Sequence, residues 1–307
     1  MRYRTLGDSD LRTSVVGLGC NRVGAGVDLA RTRAMVDAAI DAGITLIDTA
    51  ESYGEPAGAS EELLGQALAG RRDRVVLATK FGGPVRNAAG SRAGVRQAVE
   101  GSLRRLRTDH IDLYQYHVPD GVTPIEETLS ALTELVREGK VRYVGSSNVS
   151  GEQIGEAAQA ARAGGLVPFV STQTHWSLLE RDAEREVVPA ALRHGVGVLP
   201  YFPLAHGLLT GKARRGQEPP EGSRIARLPH LRTPERLDRV EALATWAAEH
   251  GRSLLEVAIG ALAALPGCGS VIAGATGPEQ VLANAAAAGW EPTAEELAQI
   301  TALVPPG

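Results

Sequence analysis

Four side chains able to exchange protons follow short apolar runs of the sequence. Asp48 and Tyr53 come just after the run that ends at Ile47, Lys80 ends a second run, and His117 follows a third. Such runs are typical of buried strands. Because parallel strands of a sheet end at one edge, we expect the carboxylate, the phenol, the ammonium and the imidazole to meet there.

These four groups suit the reduction of a carbonyl group. Hydride arriving at the carbon places negative charge on the oxygen, which then needs a proton donor. Tyr53 is the candidate donor, and a cation such as Lys80 that favours the phenolate would make it more effective near neutral pH. Asp48 would compensate the buried ammonium. The His117 imidazole would hydrogen-bond the substrate oxygen and fix its orientation.

The sequence around these residues resembles the aldo-keto reductase superfamily, whose members reduce carbonyl groups with NADPH and use Asp, Tyr, Lys and His in this order. The matching segments are, in chain order, Asp48-Thr49-Ala50, Tyr53-Gly54, Thr79-Lys80 and Asp112-Leu113-Tyr114-Gln115 before His117. The resemblance extends over nearly the whole chain. It implies an NAD(P)H-dependent oxidoreductase that reduces an aldehyde or ketone to an alcohol by hydride transfer, with Tyr53 as proton donor.

The same resemblance implies a site for a nicotinamide cofactor. For the nicotinamide and its carboxamide, the residues are Ser147, Asn148, Gln173 and the stacking ring of Tyr201. The segment after Pro200 is similar to a pyrophosphate-binding stretch, with Pro203, Leu204, Gly207, Leu209 and Lys212. The other cofactor residues that we expect are Gly19, Cys20 and Asp48 at strand ends, and Gly274, Thr276, Gln280 and Asn284 at the adenosine end.

One departure from the family pattern concerns the choice of cofactor. Thr276 stands where many members have Lys or Arg to pair with the 2′-phosphate of NADPH. A threonine hydroxyl can only hydrogen-bond, so the charge would have to come from elsewhere. The candidates are the cations Lys212, Arg214, Arg215 and Arg224. NADPH is the expected cofactor, and NADH stays open.

The sequence indicates the type of reaction more clearly than the identity of the substrate. Residues that flank strand ends and are therefore candidates for the pocket wall are Asn21, Arg22, Glu51, Val118 and Trp176. His175, Trp176 and Phe202 differ from the residues usual in the family. The expected partner is a small molecule with a carbonyl group, and aldehydes, ketones and sugars all fit.

Strands and helices must alternate to position these side chains. The predicted barrel strands are 15–19, 44–48, 74–80, 110–116, 141–146, 168–173, 196–201 and 269–273, and helical stretches lie near 28–42, 59–69, 91–107, 124–138, 151–163, 182–193, 234–250, 253–264 and 278–288. Eight strands, each followed by helix, indicate an α/β protein with a closed (β/α)8 TIM barrel. An open doubly wound sheet is the competitor, but the turn after Gly19 lacks the third glycine of its nucleotide-binding pattern.

Two further segments complete the predicted fold. Residues 1–16 read as a short N-terminal hairpin, and a long loop rich in Gly, Pro and cations follows the seventh strand, over about 201–233. Loops of this length above a barrel are usually functional, and this one is expected to cover a bound cofactor. Because no repeat or composition break divides the chain, residues 1–307 are expected to form a single domain.

Composition excludes several classes of protein. The net charge is −4 and no dense basic run occurs, which argues against a nucleic-acid partner. No apolar run is long enough for a membrane span, and the charged start does not suit a signal peptide, so we expect a cytoplasmic protein. The seven histidines show no ligand pattern, so no metal site is expected. A monomer or a weak homo-oligomer is expected.

Two other functions stay open at this point. The barrel could bind nucleotide as a sensor or regulatory subunit with little turnover, as channel-associated members of the superfamily do. Alternatively, Lys80 could act as the Schiff-base amine of an aldolase. That role needs a neutral lysine, whereas the neighbouring Asp48 favours the charged form.

Overall fold

Eight parallel strands close into a barrel in the computed structural model, which describes residues 1–83 and 88–306. An antiparallel hairpin of β1 (Tyr3–Thr5) and β2 (Arg12–Ser14) precedes it. The barrel strands are β3 (Val16–Gly19), β4 (Leu46–Asp48), β5 (Val76–Phe81), β6 (Ile111–Tyr116), β7 (Val141–Ser147), β8 (Phe169–His175), β9 (Gly197–Tyr201) and β10 (Val271–Gly274). Their order is β10-β3-β4-β5-β6-β7-β8-β9, and all neighbours pair in parallel. The predicted TIM barrel with its N-terminal hairpin is confirmed.

Helices surround the barrel. They are α1 (Leu29–Asp41), α2 (Ala59–Ala67), α3 (Arg92–Leu106), α4 (Ile125–Arg137), α5 (Gly151–Gly164), α6 (Val187–Arg193), α7 (Pro234–Glu249), α8 (Leu254–Glu256), α9 (Leu262–Ala264), α10 (Pro278–Ala287) and α11 (Ala294–Leu303). Their apolar faces are buried; α4, for example, buries Leu129, Leu132 and Leu135 completely. Within the described residues, none of the helices is both long enough and apolar enough to cross a membrane.

The barrel interior is filled in layers, because side chains that face inward recur at every second residue of a strand. An apolar layer contains Leu46, Ala78 and Leu113, packed with Leu6 and other residues of one buried cluster. Leu6 belongs to the N-terminal hairpin, which thus closes the bottom of the barrel. Two residues beyond the apolar positions, the strands carry the polar side chains at 48, 80 and 115 into the next layer.

The long loop after β9 is folded against the barrel and α7. It contains two short 3₁₀ helices, Ile225–Arg227 and Pro229–Leu231, and a segment of turns over Ala205–Thr210 that is kinked at His206 and Gly207. Leu208 and Ile225 are buried in one cluster with Val240 of α7. The loop therefore has a core of its own, which fixes its position near the C-terminal ends of the strands.

Two helical regions differ from the predicted pattern. The C-terminal helix α11 was not predicted, although Thr293 and Glu296 form a capping box that marks its start. The predicted helix 253–264 contains a π-helical segment, Val257–Ala261, between α8 and α9. At that segment Gly260 contacts Trp290 so closely that a Cβ would lie 2.6 Å from the indole ring. A capping residue is visible in a sequence, whereas a tertiary contact of this kind is not.

Candidate active site

The Lys80 ammonium is the centre of a polar cluster at the C-terminal ends of β4 and β5. Its Nζ donates hydrogen bonds to Asp48 Oδ2 at 2.6 Å and to the Thr49 carbonyl oxygen at 2.9 Å. It also lies 3.4 Å from the Tyr53 hydroxyl oxygen. Lys80 is fully buried and Asp48 is 2% exposed. The structure thus brings three of the four predicted titratable residues into direct contact.

A tight turn between β4 and α2 holds Tyr53 over the lysine. The Tyr53 carbonyl oxygen accepts a hydrogen bond from the Gly58 N–H at 3.1 Å. Gly54 has a φ of +95°, and a Cβ there would lie 2.8 Å from the Ala59 Cβ. Only glycine fits this position without strain. The turn places the Tyr53 ring so that Lys80 Nζ is 4.9 Å from its centroid.

Burial and charge act in opposite directions on the phenol and the ammonium. Burial raises the pKa of Tyr53 above its usual value, and the opposing effect of the Lys80 charge is smaller. The cation does favour the phenolate, as expected, but desolvation decides the net direction. For Lys80, burial lowers the pKa, yet Asp48 and Tyr53 together outweigh it, so the pKa of Lys80 is raised. The site therefore holds a protonated phenol beside a charged ammonium at neutral pH.

His117 follows β6 and stands beside the same phenol. Its ring meets the Tyr53 ring edge to face, with centroids 5.8 Å apart. Burial, with the Lys80 charge, lowers the pKa of His117 to about 4, so the imidazole is neutral near pH 7. Its Nδ1 is buried and has no hydrogen-bond partner within residues 1–83 and 88–306. A neutral imidazole next to a protonated phenol provides the hydrogen-bonding groups that a carbonyl oxygen requires.

The second carboxylate oxygen of Asp48 has two amide partners. Gln173 Nε2 donates to Asp48 Oδ1 at 2.9 Å and Gln115 Nε2 donates at 3.1 Å. Gln173 Nε2 also lies 3.4 Å from Gln115 Oε1. Gln173 was expected at the nicotinamide carboxamide, whereas Gln115 was not predicted as a site residue. The available signal was its position two residues before His117, which places both on one face of a strand.

The Asn148 side chain connects the C-terminal ends of β6, β7 and β9. Its Nδ2 donates to the His117 carbonyl oxygen at 2.9 Å and to Ser147 Oγ at 3.0 Å, and its Oδ1 accepts from the Tyr201 hydroxyl at 2.9 Å. The Tyr201 ring stacks on His175, with centroids 5.4 Å apart and planes within 6°. These contacts engage the Asn148 side-chain amide within the protein and fix the Tyr201 ring in place.

The segment resembling a pyrophosphate-binding stretch has an unusual backbone. Phe202, Ala205, His206 and Gly207 all have positive φ, between 45° and 105°. Alternation of left- and right-handed residues turns backbone N–H groups to one side and creates concavities that bind anions. Some of these groups are used internally, since the Gly207 N–H donates to the Leu204 carbonyl oxygen at 2.8 Å.

Two residues that we expected to touch the cofactor face inward instead. Leu209 is fully buried, and its N–H donates to the Leu204 carbonyl oxygen at 3.2 Å. Cys20 is 1% exposed, its N–H donates to the Asp48 carbonyl oxygen at 2.9 Å, and burial raises the pKa of its thiol well above the usual range. Each offers neither an accessible side chain nor a free N–H. Pro203 is buried as well, whereas Lys212 is exposed.

At the end of the site predicted to bind adenosine, Thr276 and Gln280 are paired with each other. The Thr276 N–H donates to Gln280 Oε1 at 2.8 Å. Gly274 is exposed, and a Cβ there would have no neighbour closer than 3.9 Å, so this surface is open. Asn284, one turn after Gln280, is 5% exposed. A cation that was not predicted stands nearby: the Arg31 Nε would lie 3.9 Å from a Cβ on Gly277.

The candidate cations of the long loop differ in availability. Arg214 donates to Glu241 at 2.8 Å and Arg215 pairs with Asp238, so both are bound to α7. The Arg224 guanidinium lies over the Phe202 ring, with its Cζ 4.5 Å from the ring centroid. In the described part of the chain Arg224 has no carboxylate within ion-pair distance. Arg224 is therefore better placed than Arg214 or Arg215 to receive a phosphate.

The five candidates for the substrate pocket fall into two groups. Asn21, Arg22 and Val118 are all partly exposed next to strand ends. Glu51 is 9% exposed and accepts a hydrogen bond from the Gly82 N–H at 3.1 Å. Trp176 has no exposed surface: its indole packs in a buried cluster and donates from Nε1 to Glu184 at 2.9 Å. The expectation that Trp176 lines the pocket is therefore wrong.

Comparison with known proteins agrees with this geometry. The model of the aldo/keto reductase family matches residues 15–305. The chain is 36% identical to "Aldo-keto reductase YhdN" of Bacillus subtilis (strain 168), over 99% of this chain and 94% of that protein. It is 38% identical to "Uncharacterized oxidoreductase YrpG" of the same organism, over 92% and 89% of the two chains. It is 37% identical to "Probable voltage-gated potassium channel subunit beta" of Oryza sativa subsp. japonica, over 92% and 90%. The chain therefore belongs to the aldo/keto reductase family and is an oxidoreductase of that family.

Proposed function

We propose that this protein is a single catalytic domain that reduces an aldehyde or ketone to an alcohol with a nicotinamide cofactor. The observation that carries the proposal is the contact of Lys80 Nζ with both Asp48 Oδ2, at 2.6 Å, and the Tyr53 hydroxyl, at 3.4 Å. A protonated phenol held against a buried ammonium can release its proton when negative charge develops on a neighbouring oxygen.

Each of the four side chains has a defined role in this proposal. Tyr53 Oη donates the proton to the carbonyl oxygen. Lys80 stabilises the phenolate that results, and Asp48 keeps the ammonium charged and in place. His117 is neutral, so it donates a hydrogen bond to the substrate oxygen without adding a charge that would compete with Lys80.

The residues present fit a nicotinamide cofactor. Gln173 and Ser147 lie beside the polar cluster, the backbone at 202–207 has the positive φ values of an anion-binding turn, and Gly274 leaves an open surface. In this proposal Tyr201 and Asn148 border the nicotinamide, the 202–207 turn holds the pyrophosphate, and Thr276, Gln280 and Asn284 border the adenosine. The cofactor, when bound, supplies the hydride. NADPH is favoured over NADH if Arg224 or Arg31 meets the 2′-phosphate.

A Schiff-base aldolase has less support. That chemistry needs a neutral amine, whereas contact with Asp48 and Tyr53 raises the pKa of Lys80 despite its burial. An amine that stays protonated cannot attack a carbonyl carbon. Borohydride in the presence of an aldehyde is therefore expected to leave Lys80 unmodified.

A regulatory subunit is the second candidate function. It is favoured by the relatives from Oryza sativa and Arabidopsis thaliana that are named as probable potassium channel beta subunits, at 37% and 35% identity. In that case the barrel binds the cofactor and reports its redox state, with slow turnover. The complete set of Asp48, Tyr53, Lys80 and His117 supports turnover instead.

Steady-state oxidation of NADPH and of NADH with a reactive aromatic aldehyde tests the proposal. We expect turnover in the wild-type protein and its loss in Tyr53→Phe, with cofactor binding retained in both. Binding of cofactor without turnover of any aldehyde or ketone would favour the regulatory subunit. Binding of neither cofactor would contradict both functions.

A further inference from the structure

The Asp48 carboxylate is held by a closed ring of hydrogen bonds with two buried glutamines. Its Oδ1 accepts from Gln115 Nε2 and Gln173 Nε2, and Gln173 Nε2 in turn lies 3.4 Å from Gln115 Oε1. Asp48 and Gln173 are each 2% exposed and Gln115 is fully buried. A buried ring of this kind allows little rotation of any of its members.

The chemistry of the carboxylate fixes the orientation of both amides. An ionised carboxylate only accepts hydrogen bonds, so the NH₂ group of each glutamine must face it. Within the residues that the structure describes, no donor reaches Gln173 Oε1. With its NH₂ group engaged by Asp48 and Gln115, Gln173 presents Oε1 as a hydrogen-bond acceptor beside the polar cluster.

Strand register explains why Gln115 can connect these groups. In the β5–β6 pair Gln115 lies opposite Lys80, and in the β6–β7 pair it lies opposite Gly145. A Cβ on Gly145 would come within 3.2 Å of the Gln115 side chain, so a glycine at 145 leaves room for it. Gln115 is thus the inward residue of β6 between Lys80 on one strand and Gln173 further round the barrel.

We propose that Gln115 is a positioning residue that couples the Asp48–Lys80 pair to the amide of Gln173. Its Nε2 restrains Asp48 so that Oδ2 stays turned to Lys80, and its Oε1 restrains Gln173 so that the amide oxygen faces a nicotinamide carboxamide. The inference rests on the proposed function, because the carboxamide is the group that Gln173 would receive. Gln115 itself touches neither substrate nor cofactor.

Gln115→Met tests this role, because methionine keeps the length of the side chain but removes both polar atoms. Loss of a hydrogen bond to a charged group is expected to lower kcat about tenfold and to raise the Kd for NADPH about tenfold. The Kd for 2′-phospho-ADP-ribose, which lacks the nicotinamide, is expected to stay unchanged. Thr172→Val is the matched control, since Thr172 is also fully buried on β8 and its hydroxyl has no partner among the described residues.

Gln115→Glu separates hydrogen bonding from packing. Glutamate keeps the shape and an acceptor for Gln173, but it places a second carboxylate against Asp48. Two adjacent carboxylates readily share a proton, and the protonated side chain of Gln115→Glu can again donate to Asp48. The kcat of Gln115→Glu relative to wild type is therefore expected to rise as the pH is lowered. A kcat of Gln115→Glu equal to that of wild type at every pH would show that turnover needs no donor at position 115, which would overturn the positioning role.

The outcomes distinguish this inference from the proposed function. Suppose that the wild-type protein binds NADPH and reduces an aldehyde, and that Gln115→Met has the same kcat and the same Kd for NADPH as wild type. The positioning role is then overturned and the function stands. If Gln115→Met weakens NADPH and 2′-phospho-ADP-ribose equally, Gln115 supports the fold in general, and the coupling to Gln173 is overturned. If the wild-type protein binds neither NADPH nor NADH, the function fails and this inference fails with it.

Discussion

Lys80 Nζ lies 2.6 Å from Asp48 Oδ2 in a part of the barrel from which water is almost excluded. Asp48→Asn keeps the shape of the side chain but removes its charge, so the buried ammonium loses its counter-ion. Breaking a buried pair in this way is expected to cost about 3–5 kcal/mol of unfolding free energy. Urea unfolding measures the loss. Glu218→Gln is the control, because Glu218 pairs with Arg232 at the surface and is 88% exposed; removing it is expected to change stability by less than about 1 kcal/mol.

Tyr53→Phe removes the proposed proton donor and leaves the ring in place. Without the phenol, kcat is expected to fall by a factor of about 10² to 10⁴, the usual contribution of a general acid. Cofactor binding, followed by fluorescence titration, should change little because the ring stays. Tyr3→Phe is the control: its hydroxyl donates to the Gly43 carbonyl oxygen near the hairpin, away from the site. A kcat for Tyr53→Phe equal to that of wild type would exclude Tyr53 as the donor.

The neutral state of His117 links stability to pH. Its pKa falls from an ordinary 6.5 to about 4 on folding, chiefly through burial. Between these values the unfolded chain binds a proton that the folded protein does not, so the unfolding free energy should decrease as the pH is lowered from 6.5 towards 4. His117→Gln should reduce this slope by roughly 1 kcal/mol per pH unit. Burial lowers the pKa of His206 to about 4 as well, so part of the slope should persist. If the unfolding free energy of His117→Gln depends on pH as steeply as that of wild type, the pKa of His117 is the same in the folded and unfolded states.

Much of the fold and the centre of the site could be predicted from the sequence. Strands ending at Asp48 and Lys80 are apolar and short, and barrel closure follows from eight such units. The period of two along a strand then places Asp48 and Lys80 in one layer. Features of the site that depend on contacts between distant segments of the chain could not be predicted. The ring of Gln115 and Gln173 around Asp48 requires the register of strands that are remote in the chain, and the complete burial of Trp176 depends on the packing of α6 against β8 and β9.

The direction of the Tyr53 pKa shift could not be predicted from the sequence either. A lysine beside a phenol favours the phenolate, and this effect is present in the structure. Its size relative to desolvation depends on how much water reaches the hydroxyl, which only the packed structure reveals. In the proposed reaction the donor is consequently a phenol that stays protonated until charge develops on the substrate.

In the proposed function, the choice between NADPH and NADH depends on which cation reaches the surface around Thr276. Thr276 is neutral and paired with Gln280. Arg31, which belongs to the neighbouring helix α1, lies close to Gly277. If Arg31 meets the 2′-phosphate, Arg31→Ala should raise the Kd for NADPH about tenfold and leave the Kd for NADH unchanged. Arg33→Ala is the matched control on the same helix, where Arg33 is also exposed. Equal effects of Arg31→Ala on both cofactors would exclude a contact with the 2′-phosphate.

Thr276→Lys tests the same surface by adding a charge. An ammonium beside the 2′-phosphate should lower the Kd for NADPH by about tenfold at low salt, with less gain at high salt, because the ions screen an exposed pair. NADH lacks the phosphate, so its Kd should be unchanged. If Arg31 already neutralises the phosphate, the gain from Thr276→Lys should be larger in the Arg31→Ala background than in wild type. Equal gains in both backgrounds would mean that Arg31 and residue 276 act on separate groups, which would leave Arg224 of the long loop as the cation to test next.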